Sequence, residues 1–464
     1  MRQITLELRP GEKTAMYAQL YDYFAGEIRA GRLEPGEKLP SKRDLCAHLG
    51  VSRSTVETAY DLLTSEGYLL SRPRSGYFVS DFVPYAGTET ASPPPAPAAA
   101  PPAPTALDCS TAAVDVSLFP YSSWAKLNRE VIYGSPELLQ RGDRQGDLAL
   151  RQALCAFLSE YRGVRCAPEQ IVVGAGMEYL SGLLLQLFLP DTVYGLEDPG
   201  YAAMDQTMRS MGRAVRYLPL DDAGMLPAAL EESDVSVAYI TPSHQFPLGV
   251  TMPAHRRSRL LRWAFERPGR YLIEDDYDSE FRYGARPIPA MQGMDTQGKV
   301  IYVGTFSRSL APSIRVAYLV LPETLLRRYH AVAGHSLSTV SRYEQAVMAR
   351  FLNEGFYVRY LRRVGNLYRR RRAQLLPALE AIEGIRVSGS GGGLHFLISS
   401  DRFSEPELLQ RALEQGVALR GLSAYCREAA PLPGTVVMGF GGLRDDKISE
   451  TAERLAKAWG NIPS

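Results

Sequence analysis

The sequence predicts two domains: a small α+β domain in which a helix-turn-helix precedes a β-hairpin, and a large α/β domain that ends in a smaller α+β unit. Three observations predict this division, of which the first is the length of 464 residues, more than a single hydrophobic core usually organises. Residues 91–105 are almost wholly alanine and proline, a composition typical of an extended spacer. Beyond this tract, short β-rich runs alternate with helical patterns. We therefore expect domains at residues 1–82 and 108–464, joined by a linker at residues 83–107.

Composition and charge exclude several classes of protein. Hydrophobic residues make up 45% and charged residues 22% of the chain, so it is not disordered in general. With a net charge of +1, any attraction to DNA must come from a local cluster of cations. The five cysteines contain no Cys-x-x-Cys pair and show no metal-ligand spacing with the histidines, so we expect no metal site. Because no signal peptide and no bilayer-spanning apolar run is apparent, we expect a cytoplasmic protein without a membrane partner.

The first 82 residues carry signals for three helices and a hairpin. Residues 14–30 have apolar side chains at helical spacing. Ser41 and Ser52 are suited to cap two further short helices, which end at Gly50 and Gly67. Two short helices joined by a glycine-containing turn form a helix-turn-helix, and the following GYLLSRPRSGYFVS predicts a hairpin, or wing.

This arrangement favours binding to double-stranded DNA. A recognition helix presents its N-terminal residues to base edges in the major groove, and the free amides at its start can hold a phosphate. The domain is not basic overall, but its cations are clustered. The predicted DNA-binding residues are Lys42, Arg43, Ser52, Arg53, Ser54, Thr55, Arg72 and Arg74. The same pattern also fits a three-helix protein-interaction module with ordinary surface arginines.

The large domain contains five hydrophobic runs bounded by turn residues, namely QIVVGAG, VSVAYIT, RYLIEDD, KVIYVGTF and RVAYLVLP. Amphipathic segments lie between most of them, which predicts a parallel or mixed sheet with helices on both faces. In such sheets, ligands bind on loops at the carboxyl ends of the strands. The loops after these runs are therefore the expected ligand site.

Groups suited to a phosphorylated pyridine occur on these loops. Asp275 and Tyr277 follow a strand, where a carboxylate can hold the ring nitrogen and a hydroxyl can bond the ring oxygen, and Tyr201 offers a flat ring for stacking. The turn at residues 174–176 begins a helix whose amides can bind an anion. A second loop adds hydroxyls and a guanidinium suited to phosphate: Thr305, Ser307 and Arg315. Taken alone, the acidic loop and the tyrosine also fit ordinary structural roles.

The chain resembles two families in two successive parts. The segment PGEKLPSKRDLCAHLGVSRSTVETAYDLLTSEGYLLSRPRSGYFV closely resembles the DNA-binding domain of the GntR superfamily. The segments EDPGY, TPSHQFP, EDDYDSEF and GTFS-x-S-LAPS-x-R resemble the fold-type I aminotransferases. Together, over nearly the whole chain, they resemble MocR/GabR-type regulators. The resemblance implies a winged helix-turn-helix domain fused to an α/β fold-type I pyridoxal-phosphate-dependent transferase-like domain with a small C-terminal α+β subdomain.

The resemblance also implies a cofactor, residue roles and an assembly. It implies that Asp275 pairs with the pyridine nitrogen of pyridoxal 5′-phosphate, that Tyr277 bonds the ring oxygen and that Tyr201 stacks on the ring. It further implies a head-to-tail, domain-swapped homodimer. The predicted cofactor-binding residues are Ala175, Gly176, Tyr201, Asp275, Tyr277, Thr305, Ser307, Arg308 and Arg315.

Three departures from the family pattern concern the chemistry of the site. The family motif reads GTFSK, in which lysine bonds covalently to the cofactor, whereas here Ser307 is followed by Arg308, whose guanidinium stays protonated and offers no free amine. The segment VVMGF places Val437 where many members have an arginine that grips a substrate carboxylate. Arg141 replaces a tyrosine that in the family reaches the partner's phosphate, and Arg144 replaces a proline of the same motif.

We therefore expect a transcriptional regulator that has no catalytic residues and binds operator DNA as a dimer. Its large domain is expected to bind pyridoxal phosphate, or a related small-molecule effector, without a covalent bond. Such an effector would act through its different affinities for two domain arrangements. Three alternatives stay open: an active aminotransferase with an accessory DNA-binding domain, a cofactor site that has decayed into a dimerisation module, and an Arg308 that is an introduced substitution.

Overall fold

The computed structural model describes residues 6, 8, 9, 14–81, 107–283 and 289–460. The chain divides into two compact units, residues 1–103 and residues 104–464. Nearly all of the predicted linker lies outside the described residues, so its bounds and those of the two domains stay predictions. Among the described helices, none combines the length and the apolar character needed to cross a membrane.

The N-terminal unit consists of three helices and a hairpin: α1 (Met16–Arg29), α2 (Lys42–Leu49), α3 (Arg53–Ser65), β1 (Leu69–Arg72) and β2 (Gly76–Val79). The hydroxyl of Ser41 caps α2 and that of Ser52 caps α3, each accepting a backbone amide at 3.2 Å. Helix α2 ends at Gly50, whose φ of 65° is a left-handed conformation that glycine adopts without strain. The predicted winged helix-turn-helix is confirmed.

A small apolar core fixes the orientation of α3. Leu20 and Phe24 of α1 pack with Val56 and Tyr60 of α3, and all four are at most 2% exposed. The rings of Phe24 and Tyr60 meet edge to face at 5.9 Å. Since burial of each such side chain contributes ~1.5–3 kcal/mol, this packing holds α3 firmly while its first residues stay at the surface.

The large unit begins with the short strand β3 (Leu107–Asp108) and is built on an eight-stranded sheet, whose members are β4 (Ile171–Gly174), β5 (Val193–Asp198), β6 (Ala214–Asp221), β7 (Gly224–Met225), β8 (Val237–Ile240), β9 (Tyr271–Asp275), β10 (Val300–Thr305) and β11 (Ala317–Val320). Their spatial order is β4-β11-β10-β9-β8-β5-β6-β7. Strands β7 and β11 run antiparallel to their neighbours, and the other pairs are parallel. The five predicted runs form β4, β8, β9, β10 and β11, which confirms the mixed α/β architecture; β5 and β6 are not among those runs.

Helices cover both faces of this sheet: α4 (Tyr121–Gly134), α5 (Leu148–Arg162), α6 (Met177–Gln186), α7 (Ala202–Ser210), α8 (Pro227–Glu231), α9 (Ala254–Phe265), α10 (Glu323–Val332) and α11 (Arg342–Asn353). Successive side chains of β4 show the two layers, because they alternate between faces. Val173 belongs to the core cluster that includes Leu154 of α5, whereas Val172 belongs to the cluster that includes Leu184 of α6.

The long helix α12 (Phe356–Glu380) precedes a C-terminal subdomain made of β12 (Ile385–Ser388), β13 (His395–Ser400), α13 (Glu405–Glu414), β14 (Val417–Ala418), β15 (Arg420–Gly421), β16 (Thr435–Gly439) and α14 (Asp445–Trp459). Four strands form a sheet in the order β12-β13-β16-β15. Strand β14 pairs in parallel with β3, so the first described residues after the linker belong to this subdomain. The predicted small α+β unit is confirmed.

Candidate functional site

The candidate DNA-binding surface lies at the starts of α2 and α3 and at the tip of the β1–β2 hairpin. Arg53 begins α3 with 81% of its side chain exposed, and its Nε lies 3.2 Å from Glu57. Arg74, at the hairpin tip, has a φ of 60°. The exposed members of the predicted set are Arg43, Ser52, Arg53, Ser54, Arg72 and Arg74.

Two predicted members have structural partners that the sequence does not reveal. The Nζ of Lys42 lies 3.7 Å from both Glu57 and Asp61 and 5.3 Å from the centroid of the Tyr77 ring. These contacts join the start of α2 to α3 and to the hairpin. The hydroxyl of Ser52 is occupied in capping α3. The exposed arginines are therefore the stronger candidates for contacts with DNA.

A cavity of about 240 Å³ opens at one edge of the large sheet. Asp275 ends β9 and Thr305 ends β10, and because these neighbouring strands are parallel, both carboxyl ends reach the same edge. Seven of the nine predicted cofactor-binding residues line this cavity: Tyr201, Asp275, Tyr277, Thr305, Ser307, Arg308 and Arg315.

Two successive carboxylates at the end of β9 have different environments. Asp276 forms a buried ion pair with Arg162 at 2.6 Å and accepts a bond from the hydroxyl of Tyr302 at 2.6 Å. Burial alone would raise the pKa of Asp276, but Arg162 holds it below its ordinary value. Asp275 accepts a bond from the hydroxyl of Tyr239 through one oxygen, while its Oδ1 is buried without a partner. Burial raises the pKa of Asp275 to about 7, although the Tyr239 bond lowers it.

The two predicted tyrosines border the cavity. The hydroxyl of Tyr277 donates to the main-chain carbonyl of His244 at 2.9 Å, which anchors this tyrosine in the cavity wall. Tyr201 precedes α7 and is 36% exposed. Its ring meets that of Phe246 edge to face at 6.1 Å, which holds it in place without burying it completely.

A buried group beside the cavity has the composition of a metal site. His244, Asp278 and His395 each place a nitrogen or an oxygen within 4.8 Å of the others. Tetrahedral zinc ligands at ~2.1 Å from the metal lie roughly 3.4 Å apart. The Nδ1 of His244 is already bonded to Asp278 at 3.0 Å, and the Nε2 of His395 lies 3.1 Å from the carbonyl of Pro247. The group therefore supports Tyr277 through hydrogen bonds, while the Nε2 of His244 and the Nδ1 of His395 are buried without a partner among the described residues.

Arg315 and the start of α6 form a cationic end of the cavity. Gly176 has a φ of 87°, and a Cβ at this position would collide with the guanidinium of Arg315. Glycine thus allows Arg315 to lie directly against the start of α6. In this structure, Arg315 forms an ion pair with Glu178, which also lines the cavity.

The other predicted phosphate ligands differ in their access to the cavity and in the hydrogen bonds that they already form within the protein. Thr305 and Ser307 face the cavity, and the Oγ1 of Thr305 accepts the amide of Ser307 at 3.1 Å. Ala175 is not part of the cavity wall, and its amide already donates to the hydroxyl of Thr339 at 2.9 Å. Hydroxyls and a guanidinium, rather than the Ala175 amide, are therefore placed to meet an anion.

Arg308 brings a guanidinium into the cavity wall. Its Cζ lies 6.0 Å from the centroid of the Tyr277 ring. Among the described residues, no carboxylate forms an ion pair with Arg308, whereas Arg315 is paired with Glu178. The described part of the cavity wall contains no lysine.

The other two departures from the family pattern lie elsewhere. Val437 is 0% exposed in β16 and packs with Leu397 and Leu422, so it has no free surface toward a ligand. Arg141 is exposed, and Arg144 donates a bond of 2.7 Å to a main-chain carbonyl.

Several groups at the cavity were not predicted from the sequence. Thr111 and Ala112, from the segment that follows the linker, form part of the wall. Met177 and Phe246 add apolar surface. Tyr239, in the middle of β8, holds one oxygen of Asp275. The sequence offers no signal for these residues, because each resembles an ordinary core or loop position.

Each of the two units matches a known protein family. Residues 16–79 match the family described as "Bacterial regulatory proteins, gntR family". Residues 110–455, well over half of the chain, match the family described as "Aminotransferase class I and II".

Full-length relatives share both units. The chain is 39% identical to the HTH-type transcriptional regulator YdeL of Bacillus subtilis, over 96% of each chain. It is 33% identical to the probable rhizopine catabolism regulatory protein MocR of Rhizobium meliloti, over 96% of this chain and 94% of the relative. It is 31% identical to the pyridoxine biosynthesis transcriptional regulator PdxR of Corynebacterium glutamicum, over 99% of each.

A solved aminotransferase shares the fold of the large unit. The kynurenine aminotransferase of Pyrococcus horikoshii superposes with a TM-score of 0.68 and is 28% identical. The match covers 76% of this chain and 90% of the enzyme.

Proposed function

The chain belongs to the aminotransferase class I and II family, and from this premise we propose that its large unit binds pyridoxal 5′-phosphate, or a related phosphorylated pyridine, without a covalent bond and without turnover. The gntR-family domain and the regulators among its full-length relatives make the chain a transcriptional regulator. The bound pyridine is then its effector. The name of the relative PdxR, which refers to pyridoxine biosynthesis, supports a ligand of this class.

The observation that carries the proposal is the environment of Asp275. Its Oδ1 is buried and lacks a hydrogen-bond partner, while Tyr239 holds the other oxygen. A buried acceptor without a partner costs about 1–3 kcal/mol. The N–H of a protonated pyridine in the cavity would supply the missing donor. The residues at this end of the cavity therefore fit the ring of pyridoxal phosphate.

A second group of residues on the cavity wall fits a phosphate. Arg315 and the hydroxyls of Thr305 and Ser307 offer donors, beside the positive end of the α6 dipole. Glu178 has to release Arg315 when a phosphate binds. The two side chains are 44% and 63% exposed, and an exposed ion pair contributes only ~0–1 kcal/mol, so this release costs little.

Arg308 is the reason for proposing reversible binding. Bound pyridoxal phosphate supplies an electrophilic aldehyde and an electron-withdrawing ring. The guanidinium of Arg308 stays protonated and cannot condense with an aldehyde. Tyr277, Tyr201 and Asp275 would still orient the ring, so the pocket keeps the groups for recognition and lacks the amine for catalysis.

Equilibrium dialysis of the full chain against pyridoxal phosphate tests this function. We expect saturable binding that further dialysis reverses, with no absorption band that amino acids displace. An absorption band that survives dialysis and responds to amino acids would instead indicate an active aminotransferase. If no ligand is retained at any concentration, the large unit has decayed into a dimerisation module.

We expect the substitution Asp275→Asn to weaken the binding of pyridoxal phosphate about tenfold, because a charge-assisted hydrogen bond to the ring is replaced by a neutral one. Calorimetric titration of the full chain measures the change. An unchanged dissociation constant would show that the ring nitrogen does not meet Asp275.

Thermal unfolding supplies the control for this variant. Burial raises the pKa of Asp275 to about 7 from an ordinary value of 3.8, so any stability linked to its proton is complete below pH 3.8 and is lost as the pH rises through 7. Above pH 7 the wild type contains a buried carboxylate that the asparagine variant lacks. The Tm of the variant at pH 8 should therefore equal or exceed that of the wild type. Weaker binding by a variant with such a Tm cannot be due to misfolding.

The N-terminal unit is proposed to contact operator DNA through its exposed arginines. We expect Arg53→Ala to weaken binding by about 1–3 kcal/mol if Arg53 reads a base. Gel-shift titration of the DNA upstream of the chain's own gene measures this loss. Arg29→Ala, which removes the same charge from the last turn of α1, is the matched control and should change binding little. A loss that is equal on unrelated DNA would make Arg53 a phosphate contact.

The large unit is proposed to form a homodimer, arranged head to tail. Helix α4 buries Leu127 and Val131 on one side, yet it also exposes large apolar side chains. Such side chains also occur in the turn after the helix. We call this set the α4 apolar surface; its members are Tyr121, Ile132, Tyr133 and Leu139, which are 61%, 59%, 85% and 89% exposed. Large apolar side chains exposed along one helix and the turn after it are typical of an interface.

A further inference from the structure

We propose that the cavity selects a phosphorylated pyridine with a carboxylate on carbon 4, where pyridoxal phosphate has its aldehyde, and that Arg308 recognises this carboxylate. The inference rests on the proposed function, because it requires a phosphorylated pyridine in the cavity. It deepens that function by naming the class of effector, which is an oxidised, acidic form of the cofactor.

The charge environment of Arg308 carries the inference. Arg308 is half-buried in the cavity wall, and no carboxylate among the described residues forms an ion pair with it. Of the two acids on this wall, Glu178 pairs with Arg315, and Asp275, which senses the charge of Arg308 without forming an ion pair with it, accepts the hydroxyl of Tyr239 through one oxygen. Because no ion pair occupies the guanidinium of Arg308, its N–H groups can donate charge-assisted hydrogen bonds to an anionic ligand.

The geometry of a guanidinium decides which anion fits. Its planar fork of N–H groups matches the two oxygens of a carboxylate, and charge-assisted pairs of this kind are stronger than neutral hydrogen bonds. An aldehyde offers a single neutral oxygen. An aminomethyl group is a cation at neutral pH and would be repelled by Arg308. The expected order of affinity is therefore carboxylate, aldehyde, aminomethyl.

The groups that would hold the ring nitrogen and the phosphate determine which carbon of the ring faces Arg308. Asp275 has a free oxygen for the ring nitrogen, and Arg315 lies at the start of α6 for the phosphate. On the family resemblance, position 308 lies at the substituent of carbon 4, because the lysine found there in relatives bonds to the aldehyde. Apolar wall residues, Met177 and Phe246, limit water around the pair and so strengthen it.

Calorimetric titration with three compounds that differ only at carbon 4 tests the proposal. The probes are pyridoxal 5′-phosphate, pyridoxamine 5′-phosphate and the 5′-phosphate of 4-pyridoxic acid, each titrated into the full chain at neutral pH. We expect the carboxylate compound to bind at least about tenfold more tightly than the aldehyde. Aldehyde binding that is equal or tighter overturns the proposal. If none of the three binds, the proposed function itself fails.

Two variants identify the residue that reads the carboxylate. Arg308→Gln should abolish the preference, bringing the aldehyde and carboxylate compounds to similar affinities. Arg315→Gln is the matched control and should weaken all three compounds equally, because they share the phosphate. A carboxylate preference that persists in Arg308→Gln overturns the assignment. Tighter binding of the aldehyde compound in the presence of a free amino acid also overturns the assignment. The carboxylate that Arg308 meets would then belong to the amino acid and not to the pyridine.

Discussion

Replacing Arg308 with lysine is expected to turn an exchangeable ligand into one that the protein retains. A lysine amine that has lost its proton can form a covalent bond to the aldehyde of pyridoxal phosphate, whereas a guanidinium cannot. The proposed cofactor site has other groups around this position: Asp275 has an oxygen without a partner among the described residues, and Arg315 lies against Gly176 at the start of α6. The fraction retained after exhaustive dialysis should rise from a trace to a stoichiometric amount.

Visible absorption after dialysis measures this change, and mass spectrometry after borohydride reduction locates the bond at position 308. Arg308→Gln is the control, because it removes the guanidinium without supplying an amine and should retain no ligand. A lysine variant that stays colourless at saturating cofactor would show that the cavity does not accept the aldehyde. That outcome would favour a decayed, purely structural unit.

The same lysine variant is not expected to become an efficient aminotransferase. Val437, which the resemblance aligns with an arginine that grips a substrate carboxylate, is completely buried between β13 and β15 and packs with Leu397. A bound amino acid would find no guanidinium there to orient it. The arginine at position 308 and the burial of Val437 therefore both agree with the proposed binding without turnover.

The sequence predicted the parts of the site that follow directly from strand ends. Asp275 and Thr305 end adjacent parallel strands, so the order of runs along the chain was sufficient to expect them at one edge of the sheet. The caps Ser41 and Ser52 likewise depend only on residues three positions away. Features set by local hydrogen bonds and by strand polarity are accessible without a structure.

Features that depend on packing between distant segments of the chain could not be predicted from the sequence. Tyr239 lies within a β-rich run and resembles a core residue; only the pairing of β8 with β9 brings its hydroxyl to Asp275. Thr111 reaches the cavity because β3 joins the C-terminal subdomain through β14. The ion pairs of Lys42 with two acids on α3 likewise depend on how α2 and α3 pack, and its predicted contact with DNA stays a prediction.

The double substitution Tyr133→Asp and Leu139→Asp is expected to convert the proposed dimer into a monomer. Burial of each large apolar side chain contributes ~1.5–3 kcal/mol, and a two-fold interface contains every contact twice. Introducing four carboxylates into such an interface adds a desolvation cost. Sedimentation velocity should show half the mass. Operator affinity should fall by about a hundredfold or more, since two linked domains bind a two-part site far more tightly than one.

A matched variant separates loss of the interface from a general effect of surface charge. Leu413 and Leu432 are also exposed, by 60% and 54%, but they lie outside the α4 apolar surface. Leu413→Asp with Leu432→Asp should therefore leave both the mass and the operator affinity unchanged. If this control also becomes a monomer, or if the Tyr133 and Leu139 variant remains a dimer, the interface lies elsewhere. An unchanged Tm in both variants, measured at low concentration, would show that the folded unit itself is intact.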